Sequence, residues 1–548
     1  MSKTVLINCP PWGVVMPPLG IAYLSAYLKS KGKKVELLDL NLDLHSKANA
    51  DQRLLWELDT INKVAPIEIA KSLYSNFKKE ICFFVNKLEP FSIVGFSANN
   101  LISTTFAGII SGLIKEKYPQ KIIILGGPGC FHSWDRKAVP KDTVDFFVIG
   151  EGEEVLEKFI DFFSQEKKFS FEKLEIPGLL YNKTRKRRKF YPAVPVNDLD
   201  LIPFPDFKEF DLNRYNKDQK YRPLPMLMSR GCINRCSYCI DWYMCLNFRV
   251  RKPEYVINEI EYHVKNYGIT HIEFNDLLCN GNLAHLERVC DLLVASEADI
   301  RWISYAAIRK NMSDGLLKKI KESGCNSLCF GVESGSDVVL KRMNKHYNSA
   351  EAADLIKRTH DSGIEVRMNI IVGFPGESED DFQQTLEFIK KNRKYITQVT
   401  NVSSFVLMPG SDIAVYPHHF GISYQEETDP GSWMDALRLT QDARNARVLR
   451  TCELLESLQI RNLIVNYQKN SCKDQSSLKK NIIAKGKQGR LLEHQIENNE
   501  QSQCRGKNKG KFFLQKIALV LLFVFSLIMD YYLLILKKLR GSIIFPGS

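Results

Sequence analysis

The chain has 548 residues, 44% hydrophobic and 25% charged, an ordinary globular balance with room for real cores and for two or three domains. Fourteen cysteines over that length are too dilute for a disulfide scaffold and suit reduced thiols in a cytoplasm. The net charge of +13 does not make it a nucleic-acid binder. One basic run, 183–189, sits between YN and FYP as a solvated hairpin tip would, and most of the rest gathers near an apolar C-terminal stretch.

The opening MSKTVLINCPP reads as a buried strand rather than a signal peptide, since Asn8 and the prolines interrupt its apolar run. A helix, LGIAYLSAYLKSKG, follows and stops at Gly32. Strand KVELLDL, strand SIVGFSA, helix 102–117, strand KIIILGG, strand VDFFVIG and helix 153–165 complete residues 1–165. Short apolar strands between helices predict a flavodoxin-like, doubly wound parallel sheet covered on both faces. Ligands of such sheets bind beyond the carboxyl ends of the strands, which here carry PPWG, SANN, GGPG and GEGE. The candidate contacts there are Ser97, Gly126, Gly127, Gly150, Glu151 and Gly152.

Residues 166–222 read as a connector, with a small hairpin around the basic run and a proline-rich strap, DLDLIPFPDF. Strand and helix signals then alternate through 223–425, from PLPMLMSR to a last strand at 398–407. Six strand–helix units predict a partial (β/α)6 barrel, open where a TIM barrel closes. A helical, polar and basic region covers 426–510. The tail, 511–540, holds twenty mostly apolar residues from Ile517 to Leu536, broken by Ser526 and Asp530. A helix of that length spans about 30 Å, the thickness of a bilayer core. Asp530 costs roughly 2.5–3.5 kcal/mol at the bilayer centre. A single span, an in-plane helix with Asp530 toward water and a buried domain helix are the three readings of this segment.

The first barrel strand runs into SRGCINRCSYC, which places Cys232, Cys236 and Cys239 within eight residues. Thiolates at this spacing bind zinc or an iron–sulfur cluster. Structural zinc needs a fourth ligand, for which Cys245, His263 and His271 are the candidates. A cube of four irons on three cysteines instead leaves one iron open to a small molecule.

SRGCINRCSYC resembles the C-x3-C-x-aromatic-C signature of the radical S-adenosylmethionine (SAM) enzymes. The resemblance implies a [4Fe-4S] cluster on Cys232, Cys236 and Cys239, reductive cleavage of SAM to a deoxyadenosyl radical, and Tyr238 beside the adenine. It also implies SAM contacts from Asn275 and Asp276 in IEFND, Glu333 and Ser334 in FGVESGS, and Ile371 and Gly373 in MNIIVGFPGES, with Arg309 as a carboxylate partner. An electron donor such as flavodoxin or ferredoxin is implied as a partner.

The order of the two domains, with PPWGVVMPPLG, GFSAN, ILGGPG, VDFFVIGEGEE and the strap, resembles the cobalamin-binding branch over residues 3–425. That branch implies cobalamin on the first sheet and methyl transfer to carbon. No histidine stands after the first strand, His45 follows the second, and His132 lies three residues past the place where relatives have one after G-G-P, so cobalamin would bind with no protein histidine on cobalt. The expected function is C-methylation of a small, lipid-like or other membrane-associated metabolite at the cytoplasmic face of a membrane. The alternatives are radical oxidation, cyclisation or rearrangement without methyl transfer, or a zinc-stapled membrane scaffold.

Overall fold

A computed structural model describes residues 3–57, 60, 64–140, 142–165, 174–182, 191–216, 222–245, 247–296, 298–424 and 433–462. All of them lie in the first of the chain's two units, which ends at Lys479. The predicted tail helix at 511–540 and most of the basic 426–510 region fall outside the described residues. Among the described residues no helix is long and apolar enough to cross a membrane.

The first sheet holds β1 (Lys3–Asn8), β2 (Lys34–Asp39), β3 (Ile93–Ser97), β4 (Ile122–Gly126), β5 (Phe146–Val148) and β6 (Leu179–Tyr181), in the order β2-β1-β3-β4-β5-β6. The first five run parallel. Successive side chains of a strand point to opposite faces, and the two faces feed two cores. Val5, Ile7, Ile123 and Leu125 pack under helices Pro66–Asn76, Lys78–Lys87 and Leu101–Lys117. Leu6, Ile122 and Ile124 pack under helix Leu19–Ser30 and the helix from Glu153. Burial on both faces is why these strands read as continuous apolar runs. The tip of the hairpin expected around 183–189 lies outside the described residues. Leu179–Tyr181 joins β5 as an antiparallel edge strand.

The second sheet is built from β7 (Leu224–Met226), β10 (His271–Phe274), β11 (Arg301–Ala306), β12 (Cys325–Glu333), β13 (Glu365–Val372), β14 (Gln398–Ser404) and β17 (Arg461–Asn462). Their order across the sheet is β17-β14-β13-β12-β11-β10-β7. All neighbours are parallel. β7 and β17 do not pair, so the barrel stays open, with β17 a short seventh strand beyond the six predicted.

PLPMLMSR divides in two. Its first part is β7, while β8 (Ser229–Arg230) leaves the sheet and pairs antiparallel with β9 (Arg249–Val250). The loop bearing the cysteines is therefore closed at its base by a two-rung ladder. A further small ladder, β15 (Ser423–Tyr424) with β16 (Trp433–Met434), precedes helix Gln441–Ser457.

The strap binds the two sheets together. Leu199 and Ile202 pack on Tyr23 of the first helix, and Tyr23 donates to Glu259 of the barrel at 3.0 Å. Phe207 lies against Tyr267 and His263 of helix Pro253–Tyr267.

Candidate active site

The three cysteines line one cavity of 490 Å³ at the carboxyl end of the barrel strands, together with Tyr238, Asn275, Asp276, Glu333, Lys345, Tyr347, Asn369 and Ile371. Local contacts explain why the loop sits there. Ser237 donates its backbone N–H to Met343 and its hydroxyl to the Arg342 carbonyl, each at 3.0 Å. Asn344 donates to the Arg235 carbonyl at 2.5 Å. The loop is thus stapled to the end of helix Asp337–Arg342, and β12 brings Glu333 to the same point.

The proposed zinc ligands do not gather at the cysteines. His263 is fully buried 3.6 Å from Glu259, His271 opens β10 at the opposite end of the barrel, and Cys245 does not line the cavity. Among the described residues no three His, Cys, Asp or Glu side chains converge on a single ion. Three cysteines share the cavity, and none of the three candidate fourth ligands lines it, so the donor set fits three corners of an iron–sulfur cluster. Burial pushes the Cys232 thiol up, and burial with the nearby Asp241 carboxylate pushes Cys239 up to about 12. Loading a cluster there releases protons.

Glu333 has a φ of +67° beside a register shift in the β12–β13 ladder. A non-glycine residue in that region marks a position held by its surroundings. Its carboxylate accepts from Tyr238 Oη at 3.0 Å and from Lys345 Nζ at 3.3 Å. Lys345 also lies 5.5 Å from the Tyr238 ring centre. Burial opposes its charge, but Tyr347, Tyr238, Glu333 and Cys236 outweigh it and raise its pKa well above the usual lysine value. A cation is therefore fixed inside the cavity. Sequence reasoning missed Lys345, because KRMNKHYN reads as a solvated charged turn. Only the folded turn, held by Tyr347 Oη on the carbonyls of Gly331 and Val332 at 2.8 and 2.9 Å, carries it inward.

Asp276 is buried and accepts from the Met228 N–H at 3.1 Å and from the Ser229 hydroxyl. Burial raises its pKa to about 6 despite these bonds. Asn275 stands beside it in the cavity wall. Three of the other expected contacts lie elsewhere. Arg309 donates to the carbonyls of Asn280 and Gly281 at 2.7 and 2.8 Å and does not line the cavity. Ser334 is fully buried, 3.0 Å from the Thr385 hydroxyl. Gly373 lies behind the wall, its N–H on Glu377 at 2.6 Å and its carbonyl on Arg444 at 3.1 Å.

On the first sheet, Ser97 and Gly126 pair at the last rung of β3 and β4. Gly127 has a φ of +96°, and a Cβ there would lie 2.5 Å from the Ala98 carbonyl oxygen. Only glycine fits that turn. Gly13 is open by contrast: a Cβ there would meet no atom within 4 Å among the described residues, and Trp12 beside it is exposed. A Cβ on Gly410, after β14, would lie 2.8 Å from the His132 ring, so the loop after β4 touches the turn after the last long barrel strand. The loop after β5 touches the barrel as well. Gly150 and Gly152 flank Glu151, which holds Arg249 at 2.6 and 3.1 Å and the Val196 N–H at 2.8 Å, with Arg230 at 3.5 Å. Burial opposes ionisation of Glu151, but Arg249 and Arg230 outweigh it and hold the carboxyl below its usual range. Glu153 pairs with Arg230 at 2.7 Å.

Glu151 thus clamps the sheet to the base of the cysteine loop. Glu151→Ala is expected to lower stability by roughly 3 kcal/mol, because it strands Arg249 in a largely buried place. Denaturant unfolding measures this, and iron content on reconstitution should stay at the wild-type level.

Residues 226–389 match the family model described as the radical SAM superfamily. An uncharacterised methyltransferase of Pyrococcus horikoshii, PH0819, is 25% identical over 382 residues, covering 69% of this chain and 74% of its own length. Two solved structures share the fold. One is the cobalamin-dependent SAM radical enzyme OxsB, with aqua-cobalamin and SAM bound (TM-score 0.56, 19% identity), over 77% of this chain and 56% of its own. The other is the radical SAM methyltransferase TsrM of Kitasatospora setae, with cobalamin and a [4Fe-4S] cluster bound (TM-score 0.57, 17% identity), over 81% of each chain. The chain spans about half the length of OxsB. Residues 226–389, which carry the three cysteines, match the radical SAM superfamily, and the chain has the fold of solved radical SAM enzymes that bind cobalamin.

Proposed function

We propose that this protein is a cobalamin-dependent radical SAM methyltransferase that acts on carbon. The observation that carries the reading is the common cavity of Cys232, Cys236, Cys239, Tyr238, Glu333 and Lys345, on a barrel whose carboxyl-end turns touch the ligand edge of the first sheet. A [4Fe-4S] cluster bound there supplies the electron that splits the SAM sulfonium, and cobalamin supplies a methyl carrier.

The chain's own residues bind and orient. Cys232, Cys236 and Cys239 would hold the cluster, and the rest of the cavity would take SAM. Lys345 takes the SAM carboxylate in place of Arg309, whose guanidinium bonds the carbonyls of Asn280 and Gly281. Asn275 and Asp276 face the amino group, and Tyr238 and Ile371 flank the adenine. The sheet edge at Ser97, Gly126, Gly127, Gly150 and Gly152 takes cobalamin, with no histidine offered to cobalt. The apolar stretch Ile517–Leu536 supports a place at the cytoplasmic face of a membrane and a lipid-like substrate, and an electron donor such as flavodoxin or ferredoxin is the reductant.

Anaerobic incubation with methyl-labelled SAM and extracted membrane lipids tests the reaction. Label in a lipid product supports it. Deoxyadenosine without transferred label, in the presence of cobalamin, points instead to oxidation, cyclisation or rearrangement.

A further inference from the structure

Two buried arginines lie behind the cavity wall, on helix Gln441–Ser457, beyond the residues that match the radical SAM family. Arg444 donates Nε–H to the Gly373 carbonyl at 3.1 Å. Its guanidinium lies 3.7 Å from the Trp433 ring centre, while its NH2 nitrogen is buried with no hydrogen-bond partner, the Asp435 carboxylate being 3.9 Å away. Burial lowers its pKa to about 10. Arg447 pairs with Glu377 at 2.7 Å, and Glu377 accepts the Gly373 N–H at 2.6 Å. Asp435 accepts the Gly376 N–H at 3.0 Å. The Gly373 carbonyl and the Gly376 N–H are therefore held from outside the barrel, and the Gly373 N–H is held by Glu377 of the same turn, which Arg447 fixes from outside.

That turn continues directly from the cavity wall, since Ile371 lines the cavity two residues earlier. The apolar side of the same assembly reaches the wall by a second route. Trp433 packs edge-on against Phe405 at 5.6 Å, and Phe405 against Phe374 at 5.1 Å. Tyr238 and Ile371 rest on this group. A buried arginine with an unfilled donor is costly for stability, and an aromatic stack returns part of that cost. Plain packing does not call for a guanidinium here. Its planar fork, with Nε on a carbonyl and its face on an indole, fixes direction as an aliphatic side chain does not.

We propose that Arg444, stacked on Trp433, is a positioning residue for the adenosyl half of SAM: it fixes the Gly373 turn so that Ile371 and Tyr238 present a rigid flat slot. The inference rests on the reading of the cavity as a SAM site. The slot is then completed from residues 433–447 and not from the barrel alone, and its effect falls on adenosyl binding rather than on the cluster.

The test uses the full-length, reconstituted protein and two variants, Arg444→Lys and Trp433→Phe. Each keeps most of the volume and, for lysine, the charge. Equilibrium dialysis with 5′-deoxyadenosine and with SAM reads the slot, while iron content and thermal unfolding read the rest. Arg444→Lys should weaken 5′-deoxyadenosine and SAM about tenfold and raise KM for SAM about tenfold, with kcat for SAM cleavage within about twofold and iron content unchanged. Trp433→Phe should show a smaller change in the same direction. Wild-type affinity for 5′-deoxyadenosine in Arg444→Lys overturns the proposal. So does a loss of iron and thermal stability that accounts for the whole change, since that marks a merely structural arginine. If the wild-type protein binds iron but neither SAM nor 5′-deoxyadenosine, the reading of the cavity falls first and the proposal falls with it.

Discussion

Cys236→Ala is expected to lose the cluster and reduce SAM cleavage to background, while Cys245→Ala leaves both intact. Cys236 is the most buried of the three cavity cysteines, 7% exposed, and sits where the loop is pinned to helix Asp337–Arg342 through Ser237. A cube on three cysteines that loses one of them keeps two protein ligands and has a second open iron. Alanine offers no donor atom, and the cavity wall holds no further cysteine of the C-x3-C-x2-C loop to replace it. Cys245 ends the next short helix, where its carbonyl accepts from Arg249. Its thiol is absent from the cavity wall. Iron per chain, the visible absorption of anaerobically reconstituted protein and deoxyadenosine yield give the answer. Loss of iron in Cys245→Ala, or its retention in Cys236→Ala, would overturn the three-cysteine assignment. One zinc per wild-type chain with no visible absorption would restore the zinc staple.

The sequence shows the parts of this site that depend on local pattern. Three cysteines within eight residues announce their chemistry wherever the chain places them. The strands of both sheets are legible because burial on two faces leaves long apolar runs, as in KIIIL, where alternate residues enter separate cores. Short pairings with no apolar run are hidden. β6 is fixed by its register on β5 and β17 by its register on β14. Neither carries a period of its own. Roles set by where a long side chain ends are hidden too. Glu151 belongs by position to a ligand edge, yet its carboxylate is occupied by Arg249 and Arg230. Arg309 ends a barrel strand, yet its guanidinium closes a neighbouring loop. Ser334 follows Glu333, but the unusual φ at Glu333 and the strand's alternation send it to the opposite side, against Thr385. Lys345 is the converse, a residue of polar context whose burial is decided by a turn.

Lys345→Met is expected to weaken SAM binding about a hundredfold while the cluster still loads. Methionine keeps the length and most of the apolar stem, so the turn around Tyr347 and its bonds to Gly331 and Val332 have no reason to move. What is lost is the charge and a long hydrogen bond to the Gly331 carbonyl, which keeps its bond from Tyr347. In the free protein Lys345 faces Glu333 at 3.3 Å, with both side chains 10% exposed. Removing the cation leaves that carboxylate in the cavity with one hydroxyl donor, from Tyr238. A ligand carboxylate arriving there then meets an anion instead of a cation. Buried charge pairs that lose one partner cost roughly 3–5 kcal/mol. Part of that appears in the stability of the free protein, and about 2.7 kcal/mol in binding corresponds to the hundredfold. Lys345→Arg should recover a fraction, because the charge returns with a planar fork in place of a compact ammonium. The decisive comparison is between ligands. Methionine and SAM carry the carboxylate and should lose affinity together, whereas 5′-deoxyadenosine lacks it and should bind as in the wild type. Equal loss for all three ligands would mean that the substitution has collapsed the cavity, and unchanged SAM binding would move the carboxylate partner elsewhere. SAM loses affinity in both Lys345→Met and Arg444→Lys, but 5′-deoxyadenosine loses it only in Arg444→Lys. The two ends of the cavity, one electrostatic and one a flat apolar slot, can therefore be told apart in a single set of binding experiments.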